Sequence, residues 1–275
     1  MSHATTPPPS SRDVLLTASD LRVRRHPNLP PVLDGVTLEV ARGEVLGVVG
    51  ANGSGKSTLA RALVGLVELE AGTVTGAERI GLVLQDPAAQ SIAATVADDI
   101  AWGGEAAGRA PDVVAARVGA LLAGFDLLAD AASDPSRLSG GQQQRLAAAA
   151  LVACDVDVLV LDEPTAMLDL PARSRFLDLV GELRATRGIV WVTQEGDELA
   201  MCDRVLVLDA GVAVWSGATR EFVAIPELGA TWDVGLPVAS RIAHALIDRG
   251  VWPPAAPVPL TEAELLAVLG ASRGA

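Results

Sequence analysis

The chain is poor in several residue types, and each scarcity narrows what it can be. Tyrosine is absent, and the only cysteines in 275 residues are Cys154 and Cys202. Neither stands at metal-ligand spacing and both have apolar neighbours, so they read as small apolar filler rather than a disulfide or a reactive thiol. Long apolar runs are also missing. The longest, Leu146 to Cys154, ends at Asp155, well short of the roughly 18 residues a membrane span needs. The N-terminus, MSHATTPPPSS, has neither a basic start nor an apolar stretch. Residues 1–13 therefore read as a disordered tail rather than a secretory leader, and a cytoplasmic location is expected. Basic residues are few, and the net charge of −13 argues against a nucleic-acid partner, which would need many cations against its phosphates. All but one of the 21 basic residues are arginine, and the exception is Lys56. A site that keeps the only lysine is one that wants a compact point charge instead of a planar fork.

What is present is an α/β pattern. At this length, one large domain with an appendage or two small domains are expected. From Val14 onward, short β-branched or leucine-rich runs alternate with stretches of helical spacing. The runs Val45–Val49, Ile80–Leu84, Val158–Leu161, Ile189–Val192 and Val205–Leu208 look like buried, mostly parallel strands. Residues 86–153 are alanine-rich and lack strand-like runs, with Pro111 and Pro135 near breaks, so they read as a helical insert. After Gly217 the strand pattern stops, and two helices are expected in the tail. In the first, Pro237 suits the start, Val238, Ile242 and Leu246 share a face, and Gly250 suits the stop. In the second, Thr261 and Glu264 have capping-box spacing ahead of Leu265, Leu266 and Leu269. The two helices either cover the domain's own core or offer a surface to a partner.

Gly50-Ala51-Asn52-Gly53-Ser54-Gly55-Lys56-Ser57 fits the pattern G-x-x-x-x-G-K-[ST] between an expected strand and an expected helix. Three glycines allow successive backbone N–H groups to turn toward phosphate oxygens, and the helix beginning near Lys56 adds its positive end. Lys56 would reach the β and γ phosphates and the Ser57 hydroxyl would ligate Mg²⁺. Downstream, Val158–Leu161 runs into Asp162 and Glu163, two carboxylates at a strand end. Asp162 suits the Mg²⁺ shell, and Glu163, pointing elsewhere, suits a base that polarises attacking water.

Leu138-Ser139-Gly140-Gly141-Gln142-Gln143-Gln144-Arg145 resembles the signature motif of ATP-binding cassette (ABC) ATPases. The resemblance covers about residues 14–223 and extends to Gln85, similar to the family's Q-loop glutamine, and to Leu168-Asp169 after Pro164-Thr165, similar to its D-loop. It implies a P-loop, RecA-like core of mostly parallel sheet flanked by helices. An antiparallel β edge, a helical subdomain at about 86–153 and a helical C-terminal extension at 224–275 complete the implied fold. It also implies ATP and Mg²⁺ as ligands, with Gly50, Asn52, Gly53, Ser54, Gly55, Lys56, Ser57 and Thr58 contacting ATP. Ser57, Gln85 and Asp162 would serve the metal, and Glu163, Lys56, Gln85 and Gln194 the catalysis. In the family the signature loop, here Ser139, Gly140 and Gly141, contacts the nucleotide of the opposite subunit, and Asp169 would organise that facing site. A head-to-tail dimer with a second ATPase subunit follows.

The stretch Val83-Leu84-Gln85-Asp86-Pro87-Ala88-Ala89-Gln90, continuing through Thr95-Val96-Ala97-Asp98-Asp99-Ile100-Ala101-Trp102-Gly103, is similar to energy-coupling factor (ECF) ATPases. So is Gly235-Leu236-Pro237 ahead of Arg249-Gly250. That subgroup works at the cytoplasmic face of the membrane with a transmembrane scaffold. A separate small membrane protein captures the vitamin or metal ion. An ATPase of a conventional ABC transporter and a soluble ABC protein of repair or translation are the alternatives. A third is a nucleotide-binding module with little turnover.

Two departures from the family pattern stand out. Gln194 occupies the place of a histidine that follows the next strand, and an amide cannot carry positive charge. Slower hydrolysis at this chain's own site is expected, and with it a heterodimer with a histidine-bearing second ATPase. The aromatic that stacks on adenine is also missing; His26 is either its stand-in or an exposed loop histidine.

Overall fold

The computed structural model describes residues 13–86, 90–166 and 168–271. The expected tail therefore lies outside the described residues except for Asp13, as do Pro87, Ala88 and Ala89 of the Q-loop stretch and residues 272–275. Nine strands are placed among the described residues: β1 (Val14–Val23), β2 (Leu33–Ala41), β3 (Val45–Val49), β4 (Ala71–Gly76), β5 (Ile80–Val83), β6 (Val158–Asp162), β7 (Gly188–Val192), β8 (Arg204–Asp209) and β9 (Val212–Ala218). The central sheet runs β5-β6-β7-β3-β8-β9, parallel throughout except for the final antiparallel pair. A second, antiparallel sheet runs β2-β1-β4. All five apolar runs picked from the sequence are strands of the central sheet.

Those strands are apolar at nearly every position because both faces of the sheet are covered, and alternate residues go to opposite sides. On β6, Leu159 and Leu161 enter one core, with Trp191 and Phe176. Val158 and Val160 enter the other, with Leu59, Leu63 and the apolar face of the antiparallel sheet. The helices that cover the sheet include α1 (Lys56–Leu63), α4 (Gly140–Ala153) and α5 (Leu170–Leu183). Between β5 and α4 the chain forms α2 (Val96–Ala106) and α3 (Pro111–Gly124), with no strand among the described residues, as the alanine-rich composition predicts. Pro111 stands at the first turn of α3, where its missing N–H is harmless.

After β9 come α6 (Thr219–Ala224), α7 (Pro226–Thr231), α8 (Val238–Asp248) and α9 (Glu262–Ala271). Of the expected face Val238, Ile242 and Leu246, Leu246 packs partly buried beside Ala239 and Ala243, while Val238 and Ile242 remain 44% and 41% exposed; the buried residues of α8 are Ala239, Ser240 and Ala243. Small residues bring α8 close to the segment before α9, where the Ser240 hydroxyl donates to Pro259 O at 2.6 Å. The expected capping box at α9 is half made: Glu264 N–H donates to Thr261 Oγ1, but the Glu264 carboxylate accepts from Leu260 N–H, one residue upstream of the reciprocal partner. No helix among the described residues is long and apolar enough to cross a membrane.

Candidate functional site

Strand β3, buried along its whole length, delivers the chain to the loop 50–55, and α1 begins immediately after it. Geometry demands glycine at two points. Gly50 has φ of 142° and a Cβ there would sit 2.0 Å from Leu208 O; Gly55 has φ of 109° and its Cβ would meet Val32 O at 2.9 Å. Lys56 is buried and curls back over the loop, its Nζ donating to Gly50 O at 2.8 Å and Ala51 O at 2.9 Å. Burial pushes its pKa down, while the charges of Glu163 and Asp162 act the other way. Among the described residues, the buried Ser54 hydroxyl has no hydrogen-bond partner. An unpaired hydroxyl, a glycine-shaped cradle and a cationic nitrogen at one helix N-terminus suit a phosphate group.

Asp162 ends β6 and is nearly inaccessible to solvent. It accepts the Ser57 hydroxyl at 3.2 Å. Burial lifts its pKa, opposed by that hydrogen bond. The pairing of a hydroxyl with a carboxylate oxygen fits a hard cation such as Mg²⁺, which takes few protein ligands and completes its shell from phosphates and water. The next residue, Glu163, has φ of 49°, a left-handed conformation uncommon outside glycine, and its carboxylate meets different partners from that of Asp162. Its two oxygens meet two amides: Oε2 accepts Gln85 Nε2 at 2.8 Å and Oε1 accepts Gln194 Nε2 at 2.6 Å. The same Gln194 nitrogen donates to Asn52 Oδ1 at 2.8 Å. Gln85 is held near by Gln90, whose side chain accepts from Leu84 N–H and donates to Leu82 O, stitching the following segment to β5.

Asn52, Gly53, Gly55, Lys56, Ser57, Thr58, Gln85, Glu163 and Gln194 line one hollow of about 290 Å³, while Gly50, Ser54 and Asp162 lie outside its lining. Residues from four separate stretches of sequence are thus brought together. Ser139, Gly140, Gly141 and Asp169 are not part of that lining. Ser139 caps α4 in a complete capping box with Gln142, and Asp169 caps α5 by accepting Ala172 N–H at 2.8 Å. His26 also falls elsewhere, in an adjoining hollow with Arg24, Pro27, Glu68 and Glu70. Its neighbour Arg25 lines both hollows, and Val32 and Arg61 line the one at the loop 50–55. Reading the sequence missed all three. Arg61 had a signal, since it stands four residues after Ser57 and so on the same face of α1.

A family model described as ABC transporter matches residues 33–166. The energy-coupling factor transporter ATP-binding protein EcfA1 of Levilactobacillus brevis is 38% identical over 259 residues, spanning 87% of this chain and 91% of its own length. Its namesake in Symbiobacterium thermophilum is 39% identical over 235 residues, spanning 80% of this chain and 82% of that one. Among solved structures, cbiO1 from Clostridium perfringens, described as part of the ABC transporter complex cbiONQ, has a TM-score of 0.70 and 27% identity. That likeness covers 84% of this chain and 99% of that chain. Site geometry and sequence similarity agree, and the chain belongs to the energy-coupling factor ATP-binding proteins of the ABC ATPase family.

Proposed function

We propose that this ATP-hydrolysing subunit drives uptake of a micronutrient, a vitamin or a transition-metal ion, as one half of a head-to-tail ATPase dimer on a transmembrane scaffold. One observation carries the dimer: Lys56 and Glu163 line the phosphate hollow while Ser139, Gly140, Gly141 and Asp169 of the same chain do not. A second subunit would bring its own signature loop to this hollow and receive this chain's loop at its own. Because Gln194 stands where the family has histidine, a histidine-bearing paralogue is the partner we favour.

In this reading the loop 50–55, Lys56 and Thr58 hold the phosphates of ATP, and Glu163 takes a proton from the water that attacks the γ-phosphorus as ADP departs. Gln85 and Gln194 each donate to one Glu163 oxygen, which orients the carboxylate and leaves each oxygen a second lone pair to accept from water. Ser57, Asp162 and the side-chain oxygen of Gln85 would hold Mg²⁺, which when bound neutralises charge on the β and γ phosphates.

Residues 14–223 form the ATPase domain, with 86–153 as its helical part and 224–275 as an extension. The helical part carries an apolar hollow of about 300 Å³ beside Gln90, bordered by the exposed Ile92 and Trp102. The scaffold seats there, at the cytoplasmic face of the membrane, and a separate small membrane protein selects the substrate. Mild-detergent purification of the tagged protein from its own membranes, with mass spectrometry of what accompanies it, tests the reading. A second ATPase, a helical scaffold and a small membrane binder are expected. A conventional permease would overturn the ECF assembly, and the absence of any membrane partner would overturn the transport role.

A further inference from the structure

We propose that the buried carboxylate of Glu198 is a positioning residue, fastening the segments that carry Glu163, Asp169 and Gln194 in one fixed relation on which hydrolysis depends. Glu198 lies in the turn Gly196–Met201, four residues after Gln194, and its side chain is 1% exposed. It does not line the phosphate hollow. Its Oε1 accepts a short hydrogen bond from the Thr165 hydroxyl and faces Arg173 Nη2 at 3.3 Å. Its Oε2 accepts the indole N–H of Trp191 at 2.8 Å.

Each of these partners stands close to a residue of the site. Thr165 is two residues beyond Glu163. Arg173 lies one turn along α5 from Asp169, and its N–H donates to Asp169 O at 2.8 Å. Trp191 is three residues before Gln194 and is paired across the sheet with Leu161, which immediately precedes Asp162. From the outer side, Asp197 accepts Val238 N–H at 2.8 Å, and the backbone of Gly196 abuts Gly235 and Leu236, so the turn itself has little room to shift.

Burying a carboxylate carries a desolvation penalty, and a well-packed apolar side chain often stabilises a fold as well or better. What the charge supplies here is direction. Three donors from three segments converge on one carboxylate, and a change in any of them alters the others. The base at Glu163 and the amide at Gln194 meet at 2.6 Å, a contact sensitive to displacements of less than an ångström.

The inference rests on the reading of Glu163 as the base, and the experiment separates the two. Steady-state ATP hydrolysis by the full-length chain in its active assembly is compared with that of Glu198→Gln, Arg173→Gln, the double variant and Glu163→Gln. Glu198→Gln keeps the volume but removes the charge facing Arg173 and turns one acceptor into a donor. It is expected to lower kcat by about tenfold or more, with KM and the nucleotide dissociation constant unchanged. The double variant should fall no further than the more severe single one, because both break one interaction. A merely structural role would instead lower the melting temperature or active fraction without this coupling. A Glu198→Gln enzyme at the parent kcat, a matching change in nucleotide binding, or fully additive losses would each overturn the proposal. Should that variant not fold, Arg173→Gln, at a side chain 24% exposed, carries the same expectation and the same refutation. If Glu163→Gln turns over at the parent rate, the reading of the base falls and this inference with it; if it is inactive while Glu198→Gln is unaffected, only this inference falls.

Discussion

The side-chain nitrogen of Gln194 lies 2.6 Å from Glu163 Oε1, and the same nitrogen reaches Asn52 Oδ1 at 2.8 Å. A primary amide has two N–H groups on one atom and so serves both acceptors at once, whereas an imidazole nitrogen carries a single hydrogen. The glutamine is therefore built into a bridge between the end of β6 and the phosphate loop, which a histidine would not reproduce from one atom.

Gln194→His should for that reason loosen the bridge and, with the imidazole protonated, add a charge-assisted donor toward a γ-phosphate. Such bonds exceed neutral ones by about 1–1.5 kcal/mol, which corresponds to a rise of roughly tenfold in turnover at this chain's own site. ATPase rates of the parent and the variant, alone and with the partner subunit, check this. Equal rates would show that Gln194 already does what the histidine does.

On the proposed role of Glu163 as the base, Glu163→Gln should suppress turnover by about 10²–10⁴-fold while leaving ATP binding intact. The new amide would present a donor where Gln85 or Gln194 now donates, so one of those contacts must rearrange. With ATP the variant should elute as a closed dimer in size-exclusion chromatography, and with ADP as the open form. A variant of unchanged oligomeric state under both nucleotides would argue against closure driven by ATP.

Much of this site is legible in the sequence because its parts are local. The phosphate loop needs glycine where φ is positive, and Gly50, Gly53 and Gly55 announce that need directly. The central strands are equally plain, since burial on both faces makes Val45–Val49 and Val158–Leu161 continuous apolar runs. Strand β4, by contrast, is largely exposed and its residues, AGTVTG, carry no apolar run to recognise. On α8 the stripe alone does not reveal which residues pack, because alanine and serine fill the close approach and leave Val238 and Ile242 outside. The Glu198 cluster joins residues up to 33 positions apart, and nothing in their spacing reveals the meeting.

Lys56→Ala should abolish productive ATP binding without unfolding the protein. Burial lowers the pKa of Lys56, a sign that the ammonium is held in a costly place, so its removal relieves desolvation even as Gly50 O and Ala51 O lose their donor. The apparent stability without nucleotide should change little. What should vanish is the increment from ligand, about 2.7 kcal/mol at a hundredfold excess over the dissociation constant. Thermal unfolding with and without ATP measures both quantities, and a variant that is still stabilised by ATP to the parent's extent would exclude Lys56 from phosphate binding.

The pairing of Arg220 on α6 with Glu264 on α9 makes the docking of the last helix sensitive to acid. Arg220 Nη2 meets Glu264 Oε1 at 2.7 Å, and Leu260 N–H donates to Oε2 at 2.8 Å. The arginine hydrogen bond and the backbone one hold the carboxyl pKa below its ordinary value. A carboxylate whose pKa is lower in the folded state than in the unfolded chain binds protons more readily when unfolded, so its stabilisation is complete above the unfolded pKa of about 4.3 and is lost as pH falls through the folded value. The side chains are 55% and 38% exposed, which limits the effect to about 1 kcal/mol or less. Urea midpoints of the parent and Glu264→Gln should therefore differ most above about pH 5 and converge as the pH drops below about 4. Added salt should shrink the gap, because the pair is partly screened already. Arg220→Gln should give a smaller gap of the same sign, since the backbone bond from Leu260 to the carboxylate survives. A gap that stays constant from pH 6 to 3.5 would mean that the contribution of Glu264 is packing rather than charge.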